Sequence, residues 1–314
     1  MSLWTDLNAV AFVAVQSAVA AEWLRTGAVH TVRRFLFGRE AGPLRVALVT
    51  GALAAFLTND AALIAVLPLV MEARPKGAGV FAYTALAAAN SIGAVTPTGN
   101  PQNAIIYSHY GVDPFRFLSC QVPVCLSLFL PAALYSWVGD TEKIVSERGG
   151  PKPDPPDVIA IIVAAGCLMA HVPVYVWFPP VMACYSLVKP GILREVDWTV
   201  VGFLTAGVLL ARLVSHLHLV PHLGTGLRTL LIAVGLSQVI SNVPAAVALM
   251  PATSDWKDLL VGVTVGGFGT PIASLANLIA LRAARGWLRD YVIVQTTCLA
   301  FGLMVSAVIL RGWP

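Results

Sequence analysis

Two short polar knots interrupt long apolar runs of this sequence. The first is Thr58-Asn59-Asp60, inside the apolar stretch 46–70. The second is Ser241-Asn242, inside 229–251. Two more stretches mix Pro, Gly, Thr, Ser and Asn within apolar surroundings. Asn90–Asn103 reads NSIGAVTPTGNPQN, and the other carries Gly266, Gly267, Gly269 and Pro271. Pro97 and Pro101 remove two backbone donors, and Gly93 and Gly99 loosen a helix. The helix is therefore predicted to break near Thr96–Pro101, and its counterpart near Gly266–Pro271. A broken helix exposes free N–H groups at one new end and free C=O groups at the other. The N–H end can hold an anion, and the carbonyl end can coordinate a cation. Thr, Ser and Asn side chains add hydrogen bonds without a fixed charge.

Asp60 is the one carboxylate that the reading places at mid-membrane depth; the other 15 of the 16 lie in loops or near span ends. A buried carboxylate is costly there and is a functional candidate by default. Loss of surrounding water favours the protonated acid, which suits a proton carrier. Asp60 could instead ligate a cation or cap the second hairpin arm. Arg212 either offsets charge near the site or snorkels to the outer interface.

The elements that must position these residues follow from composition. Of 314 residues, 57% are hydrophobic and only 11% charged, against roughly 25% charged in soluble domains. Too few charges are available to cover a soluble surface, which excludes an ordinary cytosolic enzyme, a nucleic-acid binder and a disordered chain. Apolar runs near 20 residues recur and do not alternate, so the expected class is an all-α polytopic membrane protein with the lipid bilayer as partner. Spans are expected near 7–24, 79–107, 117–138, 157–172, 174–188, 198–213, 259–280 and 291–310, about eight in all. Two of these, 79–107 and 259–280, are the broken helices. No basic segment precedes the first apolar run, so no cleaved signal peptide is expected. The five cysteines are scattered, form no CxxC pair and read as small buried residues.

The stretches 46–70 and 229–251 are read as re-entrant hairpins that turn at their knots. Val46–Leu57 has 12 residues, about 18 Å of helix, which reaches the middle of a ~30 Å core. On this reading the loops 25–45, 71–78, 139–156, 189–197 and 281–290 share one face. They hold 15 of the 20 basic residues. The positive-inside rule then places that face in the cytoplasm, and the N-terminus outside.

The knots also belong to a repeat. FLTNDAALIAVLP (Phe56–Pro68) pairs with VISNVPAAVALMP (Val239–Pro251) at an offset of 183. TPTGNPQNAIIY (Thr96–Tyr107) pairs with TPIASLANLIAL (Thr270–Leu281) at 174, and DLNAVAF (Asp6–Phe12) with DWTVVGF (Asp197–Phe203) at 191. Three matches in one order predict a duplication. The first repeat covers 1–140 and the second 157–314, joined by a cytoplasmic linker at 141–156. The hairpins would open to opposite faces, so the repeats are inverted, as in secondary transporters that bind substrate near the midplane. Val243 stands opposite Asp60, so a coupling role for Asp60 would belong to one half only.

FLTNDAALIAVLPL, NSIGAVTPTGNPQN, LSQVISNVPAAVALMP and GGFGTPIASLANLIALR together resemble the ion transporter superfamily of arsenite permeases, NhaD-type sodium/proton antiporters and divalent-anion symporters. The chain is most similar to its bacterial citrate-transporter-like anion permeases, over about residues 4–310. The resemblance implies an elevator-like homodimer in the bacterial inner membrane. It implies one ion or substrate site shaped by Thr58, Asn59, Asp60, Asn90 and the break carrying Thr96, Thr98, Gly99, Asn100 and Asn103. Ser241, Asn242 and the break carrying Gly269, Thr270, Ser274 and Asn277 would shape the other. No cofactor or resident metal is implied, only a coupling proton or sodium ion, with sodium at Asn59 or Asn242. The symporter branch has Ser-Asn-Thr at both tips. The Thr-Asn-Asp tip here is closer to the arsenite permeases, which the resemblance implies are proton-coupled. Relatives usually carry one more N-terminal helix.

The expected function is therefore secondary active transport of a small anion or oxyanion, either of the arsenite/antimonite type or a carboxylate. A sodium/proton antiporter and a channel or non-transporting relative are the alternatives. An intramembrane enzyme is disfavoured. His109, His171, His216, His218 and His222 form no HExxH motif, and the cluster at 216–222 falls in an expected outside loop.

Overall fold

The computed structural model describes the chain apart from residues 1–2, 29–30, 32–39, 74–75, 140, 146–150, 197, 200, 203–204, 207–208, 210–212, 214–221 and 313–314. The chain is an all-α polytopic membrane protein. Among the described residues the one extended pairing is a two-residue ladder between β1 (Glu40–Ala41) and β2 (Ile144–Val145).

Helix α1 spans Leu3–Thr26. Helix α2, Pro43–Leu57, begins with proline at its first turn, where a missing N–H costs nothing. It turns at Thr58 into α3, Asn59–Ala73. Helix α4, Ala78–Ser91, runs on through a single 3-10 turn at Gly93–Val95, and the chain resumes helix only at α5, Pro101–Tyr110. Helix α6, Pro114–Val138, is capped by the Asp113 carboxylate, which accepts from the Phe115 and Arg116 amides. Helices α7 (Pro155–Met169) and α8 (Val174–Val188) pair side by side, and a short turn, α9 (Ile192–Glu195), follows. The second hairpin is α10 (Leu227–Ile240) and α11 (Asn242–Leu249). Helix α12, Trp256–Gly266, is capped by Asp255. After a 3-10 turn at Pro271–Ala273 come α13 (Leu275–Ala283) and α14 (Leu288–Gly312).

Among the described residues three stretches are long and apolar enough to cross a membrane as continuous helices: Ala78–Val95, Pro114–Val138 and Arg285–Leu310. The two expected spans at 157–188 are shorter. Each segment there is a helix of 15 residues, about 22 Å long, short of a ~30 Å core. Pro155 and Pro156 form the first turn of α7, where proline is tolerated; His171, at φ 53°, and Pro173, which fixes the extended turn before α8, separate the two helices. The expected span 198–213 lies mostly outside the described residues, as do Arg212, His216 and His218.

Contacts between loops divide the molecule into two ends. At one end Lys143 meets Glu40, the Glu142 amide meets the Lys76 carbonyl, Tyr83 donates to the Ala284 carbonyl, and Tyr135 donates to Asp290. At the other end His171 reaches the Val112 carbonyl, Tyr110 donates to the carbonyls of Met250 and Thr253, and the Leu223 amide bonds to Ala252. The α2–α3 hairpin opens at the first end, and α10–α11 opens at the second. Close approach of small residues lets each hairpin lie against its broken helix. A Cβ on Gly51 of α2 would come within 2.7 Å of the Ile92 Cβ beside α4. A Cβ on Gly262 of α12 would come within 2.6 Å of the Ala233 Cβ on α10.

Lys189, just past α8, pins the short helices to α1. Its ammonium lies 2.8 Å from Glu22, 2.8 Å from Asp154 and 2.9 Å from Asp157. Tyr185 donates to Asp157, and Arg25 pairs with Glu22. Burial opposes the Lys189 charge, but the hydrogen bonds to Asp154, Glu22 and Asp157 outweigh it and hold its pKa above the ordinary lysine range. The stabilisation from a raised pKa is complete below the unfolded value of about 10.4. It is lost only as pH climbs through the higher folded value. Lys189→Met would leave Asp157 buried without its cation and Glu22 with Arg25 alone. Thermal unfolding in detergent should show a loss of about 3 kcal/mol; an unchanged midpoint would dismiss the pin.

Candidate functional site

The two hairpin tips share one unusual backbone conformation. Thr58 has φ 98° and ψ 152°, and Ser241 has φ 75° and ψ 153°. A region used almost only by glycine holds both residues. Each tip closes its first arm and opens its second in the same way. The Thr58 amide donates to Ala54 and the Ser241 amide to Ser237; the amides of Ala62 and Ala245 return to the carbonyls of Thr58 and Ser241. All these pairs are separated by 183 residues.

The helix breaks match as well. Asn100 and Ser274, the residues before α5 and α13, are both extended, at φ −141° and −149°. The Asn103 amide donates across its break to the carbonyls of Ala94 (2.8 Å) and Thr96 (3.0 Å). Asn277 donates to those of Gly267 (3.1 Å) and Thr270 (2.9 Å). Each asparagine thus satisfies carbonyls that the lost helical turn would leave bare. Each break also holds its own hairpin. The Thr96 hydroxyl donates to the Ala55 carbonyl at 2.9 Å, and the Thr270 hydroxyl to the Gln238 carbonyl at 2.9 Å. Thr98 adds a bond to Ala55. Gly99 passes so close to the Gly93 carbonyl that a Cβ would collide with it, and its own carbonyl accepts from the Asn59 amide. Gly269, at φ 105°, ties its break to α14 through the Tyr291 hydroxyl and the Gln295 side chain.

One chain of amides joins the two halves. Asn59 donates to Asn90 at 2.9 Å, and Asn90 donates to Asn277 at 3.1 Å. Asn59, Asn90 and Asn277 are all buried.

Two cavities meet this framework. One, of about 370 Å³, lies between the tips and is lined by Asn59, Asp60, Ser241, Asn242 and Ser274, with Gln102 and Thr199. The other, of about 260 Å³, runs beside α1 and is lined by Gln16, Ser17, Thr58, Asp60 and Glu195 among apolar residues. Asp60 borders both, and among the described residues neither lining contains Lys or Arg. Four helix N-termini (α3, α5, α11 and α13) reach the first cavity.

The expected residues therefore divide by task. Thr58, Asn59, Asp60, Ser241, Asn242 and Ser274 face cavities, whereas Asn90, Thr96, Thr98, Gly99, Asn103, Gly269, Thr270 and Asn277 hold the irregular backbone. The Asn100 side chain is buried, and its oxygen has no partner among the described residues. Capping at the first tip falls to Thr58, whose hydroxyl accepts from the Ala61 amide at 3.3 Å. The Asp60 amide donates to the Asn59 side chain. His171 stacks on Tyr107 with 4.6 Å between ring centroids and serves packing.

Three glutamines escaped the sequence reading. Gln16 donates to the carbonyls of Phe56 and Thr98, binding α1 to the first tip. Gln238 donates to Gly266 and Phe268 and accepts from the Thr270 amide. Gln102 lines the cavity between the tips. For Gln16 and Gln238 the sequence signal is an amide inside an apolar run, and Gln102 lies within the Pro/Gly break itself.

The sequence profile of the citrate transporter family matches residues 2–266. The inner membrane protein YbiR of Escherichia coli strain K12 is 31% identical over 305 residues, covering 90% of this chain and 80% of its own length. The uncharacterized transporter MJ0456 of Methanocaldococcus jannaschii is 27% identical over 258 residues, covering 76% of this chain and 69% of its own.

The tip strain is testable. Ser241→Gly removes a conformation that costs a non-glycine residue about 1–3 kcal/mol and loses only a long 3.4 Å bond to Ala273. Thermal unfolding should show a gain of about 1 kcal/mol or more. Thr58→Gly should gain less, because it also loses the cap. Destabilisation by Ser241→Gly would refute the strain.

Proposed function

The chain belongs to this citrate transporter family, and from that premise we propose that it is a secondary active transporter of the bacterial cytoplasmic membrane, moving a small anion or weakly charged oxyacid. The observation that carries the reading is the meeting of two strained hairpin tips and two helix breaks around a cavity bordered by Asp60. In a membrane such irregular backbone is tolerated only where it is buried in protein or lines a cavity. Four helix N-termini give that cavity a positive field suited to an anion. Among the described residues the lining holds no Lys or Arg to clamp a dicarboxylate bidentately. That favours arsenite- or antimonite-like species, or a single carboxylate group.

Asp60 is the coupling residue of this reading. It takes a proton when the site is loaded and returns it on the other side, with sodium at Asn59 or Asn242 as the competing coupling ion. Movement of the hairpins and broken helices as one body within a homodimer would supply alternating access. A sodium/proton antiporter is the second reading, favoured by one carboxylate set among neutral amides.

Proteoliposome flux of arsenite, antimonite, citrate, succinate, sulfate and sodium, with and without a proton gradient, tests the proposal. Intact reconstitution with no flux of any of them would sink it, and sodium flux alone would select the antiporter. Asp60→Asn should abolish gradient-driven flux while sparing exchange at equal pH. Unchanged pH-coupled flux in that variant would remove Asp60 from the coupling role.

A further inference from the structure

A third cavity extends the path away from the tips. It measures about 430 Å³ and lies at the end that carries the Lys189 pin, lined by Glu22, Arg25, Asp154, Lys189, Arg194 and Glu195. Glu195, the last residue of α9, borders this cavity and also the 260 Å³ cavity beside α1. Asp60 borders that second cavity and the 370 Å³ cavity between the tips. The three cavities thus share lining carboxylates, Asp60 between the first two and Glu195 between the last two. The distance is short. Gln16 touches the first tip and Glu22 touches Lys189 on the same helix, six residues apart, or about 9 Å of axial rise.

The charged groups facing Glu195 come from every side. They are Glu22 and Arg25 on α1, Asp154 before α7, Lys189 after α8, its neighbour Arg194, and Asp60 across the second cavity. Glu22 is held ionised by Arg25 and Lys189 and is unsuited to carry a proton. Glu195 has no ion pair among the described residues and is exposed. Gln16, Ser17 and Thr58 supply polar contacts for water along the second cavity.

We propose that Glu195 is the proton station between the Lys189 end of the molecule and Asp60. This rests on Asp60 as the coupling residue. The Glu195 carboxylate takes a proton from water in the 430 Å³ cavity. It passes the proton to water in the second cavity, which delivers it to the Asp60 carboxylate. Glu195 ends as it began, and one proton has moved from the Lys189 end towards the tips with no other bond changed.

Charge transients after pH jumps, recorded from proteoliposomes on a solid-supported membrane, need no transported solute. A jump from about pH 8 to about 6, across the neutral range, is applied to each face in turn. The wild type should give a transient that Asp60→Asn abolishes. Glu195→Gln should slow it about a hundredfold when the jump comes from the Lys189 face, and leave the opposite-face transient unchanged. Glu195→Asp should restore the rate. If Asp60→Asn abolishes the transient but Glu195→Gln matches the wild type, the relay is wrong and the Asp60 reading stands. Equal slowing from both faces, or no rescue by aspartate, marks a structural role and also overturns the relay. A wild-type-like transient in Asp60→Asn, or none in the wild type, overturns the coupling reading and the relay with it.

Discussion

Backbone polar groups inside a bilayer have no water to bond with, and each one left bare costs several kcal/mol. The centre of this protein departs from helix in four places, so its architecture depends on how those groups are satisfied. The answer is a set of side-chain amides. Asn103 and Asn277 each bridge two carbonyls across a break, and Gln16 and Gln238 each bind two more. Side-chain amides suit this work because one NH2 group donates twice while staying neutral. A lysine could donate as often, but only by bringing a charge into the membrane.

The two halves solve the same problem with the same geometry and slightly different residues. Thr58 and Ser241 adopt one strained conformation, and Thr96 and Thr270 make equivalent bonds to the hairpins. The differences are chemical. Asp60 stands where the other half has Val243, and Asn90 stands where the other half has Thr264. Asn90 is the link that bonds to both sides, to Asn59 and to Asn277. A symmetric scaffold thus carries an asymmetric centre, with one ionisable group on one tip and a neutral tie between the halves.

Among the described residues, charge elsewhere lies at the ends. The Lys189 pin shows what that confinement accomplishes. Helices α7 and α8 are too short to span alone, and an ionic knot with Glu22, Asp154 and Asp157 fixes their open end against α1. At their far end Asn8 donates to the Val172 carbonyl and accepts from Trp177. Polar anchors at both ends compensate for helix length that the apolar faces cannot supply.

Composition alone determined the class, because 11% charge cannot solvate a soluble surface of this size. The knots and the Pro/Gly pattern determined where helices must stop, since Pro97, Pro101 and Pro271 cannot continue a helical ladder. Such rules act within a few residues and are legible in a string of letters. Division of labour among the polar residues was not. Asn59 and Asn103 look alike in sequence, yet one borders the cavity and the other braces a break. The tie through Asn90, the uses of Gln16 and Gln238, and the placing of Glu195 between two cavities all depend on partners 28 or more residues away. Such pairings are set by packing of the whole chain, and only the tertiary structure decides them.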